Sequence, residues 1–174
     1  MVGVCLCGIG NASDGDHTIG DDVVECAIDG IGVWEPWGKN RGPEVDAYNR
    51  HVGAPLGSPW CASSCAMDHY LAGSKYPVSA WSPTWFPIKE CIYYRNKKSG
   101  KDWQPGDCVG FFYPKMNRIG HIEIIEKADD KWVRCIGGNT SDDAGTAVNR
   151  EGGVKCRKKR LRSSVHAVSR WWDN

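Results

Sequence analysis

Along the first 72 residues, apolar positions recur at helical spacing. Val23, Val24, Ala27, Ile28 and Ile31 share one face of a helix predicted over 23–31. Asp21 and Asp22 precede it as caps, and Pro36 and Gly38 lie beyond its end. Pro43 opens a second helix with Val45, Tyr48 and Val52 on its apolar side and Gly53 as its stop. Ser58-Pro59 opens a third, which runs to about Ala72 and stops at Gly73. Prolines and serines over 76–87 surround Trp81, Trp85 and Phe86 and predict an irregular aromatic loop, with a short helix over 88–95 after it. Beyond Trp103 the texture changes to short apolar runs bounded by turn residues. Gln104-Pro105-Gly106-Asp107 reads as a type II turn. Strands are predicted over 108–113, 121–126 and 132–136, the last two joined by a turn at 128–131, with weaker strands near 146–150 and 165–172. Helices followed by an antiparallel sheet predict an α+β fold with a helix packed on the sheet. Residues 1–20, rich in Gly, Asp and Ser, read as an N-terminal arm, and 21–174 as one folded domain.

Composition narrows the picture only slightly. At 174 residues, with 41% hydrophobic and 25% charged residues, the chain can bury one real core. A net charge of +1 gives no global field for nucleic acid. The sequence holds no run of 18 apolar residues, so no membrane span is expected. The apolar start lacks a basic n-region, so synthesis in a cytoplasm without a signal peptide is expected, followed by release or delivery. Nine cysteines, with no CxxC pair, read as mostly reduced thiols rather than a zinc ribbon. Cys61, Cys65 and His69 are spaced i, i+4, i+8, but the outer two stand about 12 Å apart along a helix, so no metal and no cofactor is expected. The run Lys155, Arg157, Lys158, Lys159, Arg160, Arg162 reads as a solvated loop, with capture of anionic polymers or phosphates as its functional alternative.

The candidate chemistry lies where elements begin. Cys61 falls in the first turn of the third helix, where unsatisfied N–H groups and the helix dipole favour a thiolate. His121 falls at the start of a strand and can act as its base. The imidazole needs a partner on its other nitrogen. Asn139, directly after the third strand, is the first choice, because antiparallel pairing returns that end of the strand toward His121. Glu123 is the runner-up, two residues from His121 on the same face. The Cys61 backbone N–H would supply one oxyanion donor. Trp60, Trp85 and Phe86 are candidate substrate-binding aromatics.

Pro59-Trp60-Cys61-Ala62, Gln104-Pro105-Gly106-Asp107, Gly120-His121-Ile122 and Gly137-Gly138-Asn139-Thr140 occur in an order that resembles CHAP domains, the cysteine, histidine-dependent amidohydrolases/peptidases. Gly-Gly-Asn and the upstream Asn40-Arg41-Gly42-Pro43-Glu44-Val45 resemble the subgroup with a Cys-His-Asn set. The resemblance covers about residues 25–172 and implies a papain-like fold. It also implies a peptidoglycan substrate, cut at the N-acetylmuramoyl-L-alanine amide or at a stem or cross-bridge peptide bond. Carried onto this chain, it makes Cys61 the nucleophile, His121 the base and Asn139 the orienting residue. Glu123 departs from the small residue often found two positions after the histidine, so it either crowds the site or supplies the third member itself. The resulting expectation is a phage endolysin or delivered lytic effector, the latter with a possible immunity protein. A cysteine acyl-transfer enzyme acting on a non-wall amide and a non-catalytic wall-binding module are the alternatives.

Overall fold

The computed structural model describes residues 17–95, 97, 102–141 and 153–173. Three helices come first: α1 (Ile19–Asp29), α2 (Pro43–His51) and α3 (Cys61–Leu71). Six strands follow: β1 (Cys91–Tyr94), β2 (Cys108–Tyr113), β3 (Arg118–Ala128), β4 (Trp132–Thr140), β5 (Val154–Leu161) and β6 (Ala167–Ser169). They form one sheet in the order β1-β6-β2-β3-β4-β5, and every pairing is antiparallel. The α+β class with helices ahead of the sheet is therefore observed. Among the described residues, no helix is long and apolar enough to cross a membrane.

Local chemistry accounts for the element ends. α1 starts four residues earlier than its apolar stripe indicates, inside the expected arm, because Thr18 and not Asp21 is its cap. The Thr18 hydroxyl accepts from the Asp21 N–H at 3.3 Å, and the Asp21 carboxylate accepts from the Thr18 N–H at 2.8 Å. That reciprocal box satisfies two donors left open at a helix start. α2 begins at Pro43 as expected. The turn at 104–107 has Gly106 at φ +83°, the left-handed conformation that a type II turn requires at its third position.

Two stretches read as non-strand are strands. Residues 91–94 pair with β6 instead of forming a helix, since Cys-Ile-Tyr-Tyr fits a pleated surface and finds a partner edge. The basic run expected as a loop is β5, at the sheet edge, where lysine and arginine guard against edge-to-edge pairing. Arg157, Lys159 and Leu161 are exposed, while Lys158 and Arg160 between them are buried. The strand expected near 165–172 contracts to β6, and the one expected near 146–150 lies outside the described residues.

Each face of the sheet carries an apolar cluster. Val23, Val24 and Ala27 of α1 and Ala62, Cys65 and Ala66 of α3 pack on Ile122, Ile124 and Ile136. Val109, Phe111, Ile125, Val133 and Cys135 form a second cluster with Val165 and Val168. α3 is buried from Cys61 through Ala66, and its small side chains let the helix approach β3 and β4 closely. A buried ion pair ties this helix to β5: Lys155 Nζ donates to both Asp68 oxygens at 2.7 and 2.8 Å. Removing one partner strands a buried charge, so Asp68→Ala is expected to cost about 3–5 kcal/mol in urea unfolding. The double replacement Asp68→Leu/Lys155→Met should recover most of that loss. If the double variant is as unstable as the single one, the cost lies in packing rather than in the uncompensated ammonium.

Candidate active site

Cys61 is the first residue of α3, so its backbone N–H is among the donors the helix leaves unbonded. Its N-cap, Trp60, offers no side-chain oxygen to take those donors. Cys61 also reaches the floor of a cleft of about 290 Å³ walled by Pro55, Ser58, Trp81, Ser82, Arg118 and Gly120. Ser82 Oγ, from a short 3-10 helix over Ser82–Trp85, lies 3.7 Å from Cys61 Sγ. The indole of Trp81 is half exposed, with the Arg118 guanidinium stacked 3.9 Å from its centre.

His121 stands on β3 and is fully buried. Its Nε2 donates to Glu123 Oε1 at 3.1 Å. Glu123 is buried in turn and gripped by Arg160, whose Nε donates to both carboxylate oxygens (3.2 and 3.1 Å) while Nη2 makes a short bond to Oε1. The glycine at 137 makes room for this carboxylate: a Cβ there would stand 2.6 Å from Glu123 Cγ. Side chains thus run from cleft to core in the sequence Cys61, His121, Glu123, Arg160, supplied by α3, β3, β3 and β5.

The electrostatics follow from that chain. Burial alone would lower the His121 pKa, but the Cys61 sulfur and the Glu123 carboxylate on either side raise it to about 9. Burial would raise the Cys61 thiol, yet the His121 imidazolium, Ser82 and the Ile122 backbone bring it below the ordinary thiol value. Burial also opposes the Glu123 charge, and His121 with Arg160 overcomes it and holds the carboxyl down at about 2. All three shifts run in the direction that favours a thiolate–imidazolium pair backed by an ionised carboxylate. His121 Nδ1 makes no hydrogen bond of normal geometry among the described residues. The sulfur acts on the ring from within hydrogen-bonding reach as well as through charge, though the contact is not well aligned.

The structure brings Cys61 and His121 together, as the sequence indicates. It does not place Asn139 on the imidazole. Asn139 is buried with φ +54°, and neither amide atom has a hydrogen-bond partner among the described residues. The runner-up, Glu123, holds that position. The expected aromatic contacts are also corrected. Trp60 is fully buried, its Nε1 donating to Glu35 Oε1 at 2.7 Å, and Gly138 has no Cβ where the indole and Ser64 pack. Trp85 donates to the Ser79 carbonyl and packs with Phe86 in the main core. Trp81 lines the cleft instead. Sequence reasoning passed over Ser82, Arg118 and Arg160. Of these, Arg160 had a signal: a carboxylate on the core face of β3 needs a buried cation, and alternation along β5 turns Arg160 inward.

Comparison of the chain with family models, with curated proteins and with solved structures returns no match.

Proposed function

We propose that this protein is a cysteine amidohydrolase with peptidoglycan as its substrate, cleaving one amide through a thioester intermediate. The observation that supports the chemistry is the charged Cys61–His121–Glu123–Arg160 chain opening on the cleft. The substrate class rests on the resemblance to CHAP domains. Cys61 Sγ attacks the carbonyl carbon, and the carbonyl electron pair moves to oxygen, where the Cys61 backbone N–H and the Ser82 hydroxyl donate to it. Collapse expels the amine, which takes the proton from His121. The neutral imidazole then removes a proton from water, hydroxide attacks the thioester, and the acid leaves as sulfur recovers its charge. Incubation with defined peptidoglycan and mass analysis of released fragments tests the reading. The expected products are pieces ending in a new amine and a new carboxylate; intact sacculi after prolonged digestion would rule it out.

The pKa directions separate two pH profiles. Because the Cys61 thiol is held below its ordinary value, iodoacetamide alkylation at this site is expected to begin at lower pH than at an ordinary thiol and to persist at higher pH. Amide hydrolysis needs the imidazolium proton and should fall as pH rises through about 9. Peptide mapping of the alkylated chain distinguishes Cys61 from the half-buried Cys91, whose thiol burial pushes up to about 11. Should Cys61 alkylate only in the ordinary thiol range near 8.5, the ion pair does not exist.

A further inference from the structure

Away from the cleft, the sheet carries a row of like charges. Register sets Lys127 opposite Arg134, and Arg134 opposite Lys159, so three cations stand side by side on β3, β4 and β5. All three are exposed, and none forms an ion pair with a described residue. Like charges directly opposite one another weaken a sheet. With Trp132 and Asp129 they line a groove of about 200 Å³. Asp129, in the same groove, feels the charges of Lys159 and Lys127 and offsets part of the row, but the cations remain in excess. Asp129 Oδ1 accepts from the Lys131 and Trp132 backbone N–H groups at 2.8 and 2.6 Å, closing the β3–β4 turn. Glu126 is engaged by Arg157 Nε at 3.0 and 3.1 Å, and Asp130 is exposed in the turn itself. Lys131 adds a further positive charge at the same end, its Nζ 5.6 Å from the Trp132 ring centre, and Lys159 Nζ lies 4.4 Å from it.

We propose that the Lys127–Arg134–Lys159 row binds a linear polyanion of repeating phosphodiesters, of the glycerol- or ribitol-phosphate kind carried by bacterial walls. The row supplies charge across three adjacent strands, about 10 Å from first to last backbone, and fits a chain laid across the strands. Trp132 favours a polymer without bases, because lysine ammonium groups already occupy its surroundings and leave it a poor platform for stacking. Lys127 lies six residues beyond His121 on β3, about 20 Å along the strand. Polymer held there would raise the local concentration of wall at the cleft without blocking it. The choice of polymer rests on the wall-hydrolase reading; the charged row does not.

The test is co-sedimentation of the Cys61→Ala chain with purified sacculi that keep their phosphate polymer and with the same sacculi stripped of it by acid. Binding is expected to be at least about 10-fold tighter to the unstripped wall, with log K falling against log salt at a slope near −2 to −3 for three contacts. Lys127→Gln/Arg134→Gln/Lys159→Gln should remove the preference and raise the melting temperature, since it relieves like-charge repulsion. Equal binding to both walls, or a flat salt dependence, overturns the proposal without recourse to the triple variant. Tighter binding to single-stranded DNA than to soluble glycerol-phosphate polymer overturns the assigned occupant. Failure of the parent chain to release fragments would remove the hydrolase reading and leave this measurement standing.

Discussion

A Cys61→Ala chain is expected to lose amide hydrolysis by on the order of 10⁴-fold or more, down to the level set by binding alone. The loss should appear in kcat, because alanine leaves the cleft walls untouched and removes only the atom that forms the thioester. His121→Ala should cost nearly as much, and the double variant should be no worse than either single, since thiolate and imidazolium act as one unit. Folding should survive. Cys61 is a small buried side chain whose main partner, His121, remains paired to Glu123. Release of muropeptides from defined peptidoglycan, read with circular dichroism on the same samples, checks both halves. A folded Cys61→Ala chain that still cleaves would exclude Cys61 as the nucleophile.

Much of the frame that sets up this chemistry was legible from local rules. Pro43, the Gly106 turn and the apolar strand that follows all lie where proline, glycine and alternation place them. Cys61 at a helix start and His121 on a neighbouring strand follow from the same signals. What local rules missed depends on partners distant in sequence. Residues 91–94 became a strand because β6, some 75 residues later, offers an edge. Six cations within eight residues look like solvent-facing loop until one knows that Asp68 and Glu123 await two of them. The choice between Asn139 and Glu123 turned on the same information. Antiparallel pairing does return the end of β4 toward β3, but Asn139 lies in a register irregularity with a left-handed backbone, and its amide bonds nothing among the described residues. Glu123 fills the volume that a side chain at 137 would take.

The second large effect separates those two residues. Glu123→Gln is expected to lower hydrolysis by about 10²–10⁴-fold, because the amide no longer holds the imidazolium and the His121 pKa falls from about 9 toward its ordinary 6.5. The same change removes the carboxylate charge that faces the buried Arg160, so unfolding free energy should drop by about 3–5 kcal/mol. In the parent, Glu123 titrates at about 2 instead of 4.5. Its stabilising contribution is therefore complete above 4.5 and lost as pH falls toward 2, whereas that of His121 is complete below 6.5 and lost as pH rises through about 9. Glu123→Gln should remove its part of the acid-side dependence, leaving that of Asp46 and Asp129. Replacing the ion pair by apolar groups, as Glu123→Leu/Arg160→Met, should restore much of the stability and none of the activity, which separates orientation of the ring from integrity of the fold. Asn139→Gly keeps the left-handed backbone at φ +54° and deletes the amide. It is expected to change kcat by less than about 10-fold, since no bond to the imidazole is lost. The opposite pattern, a dead Asn139→Gly beside an active Glu123→Gln, would return the third position to Asn139. Glu123 would then be the counter-ion of Arg160 and nothing more.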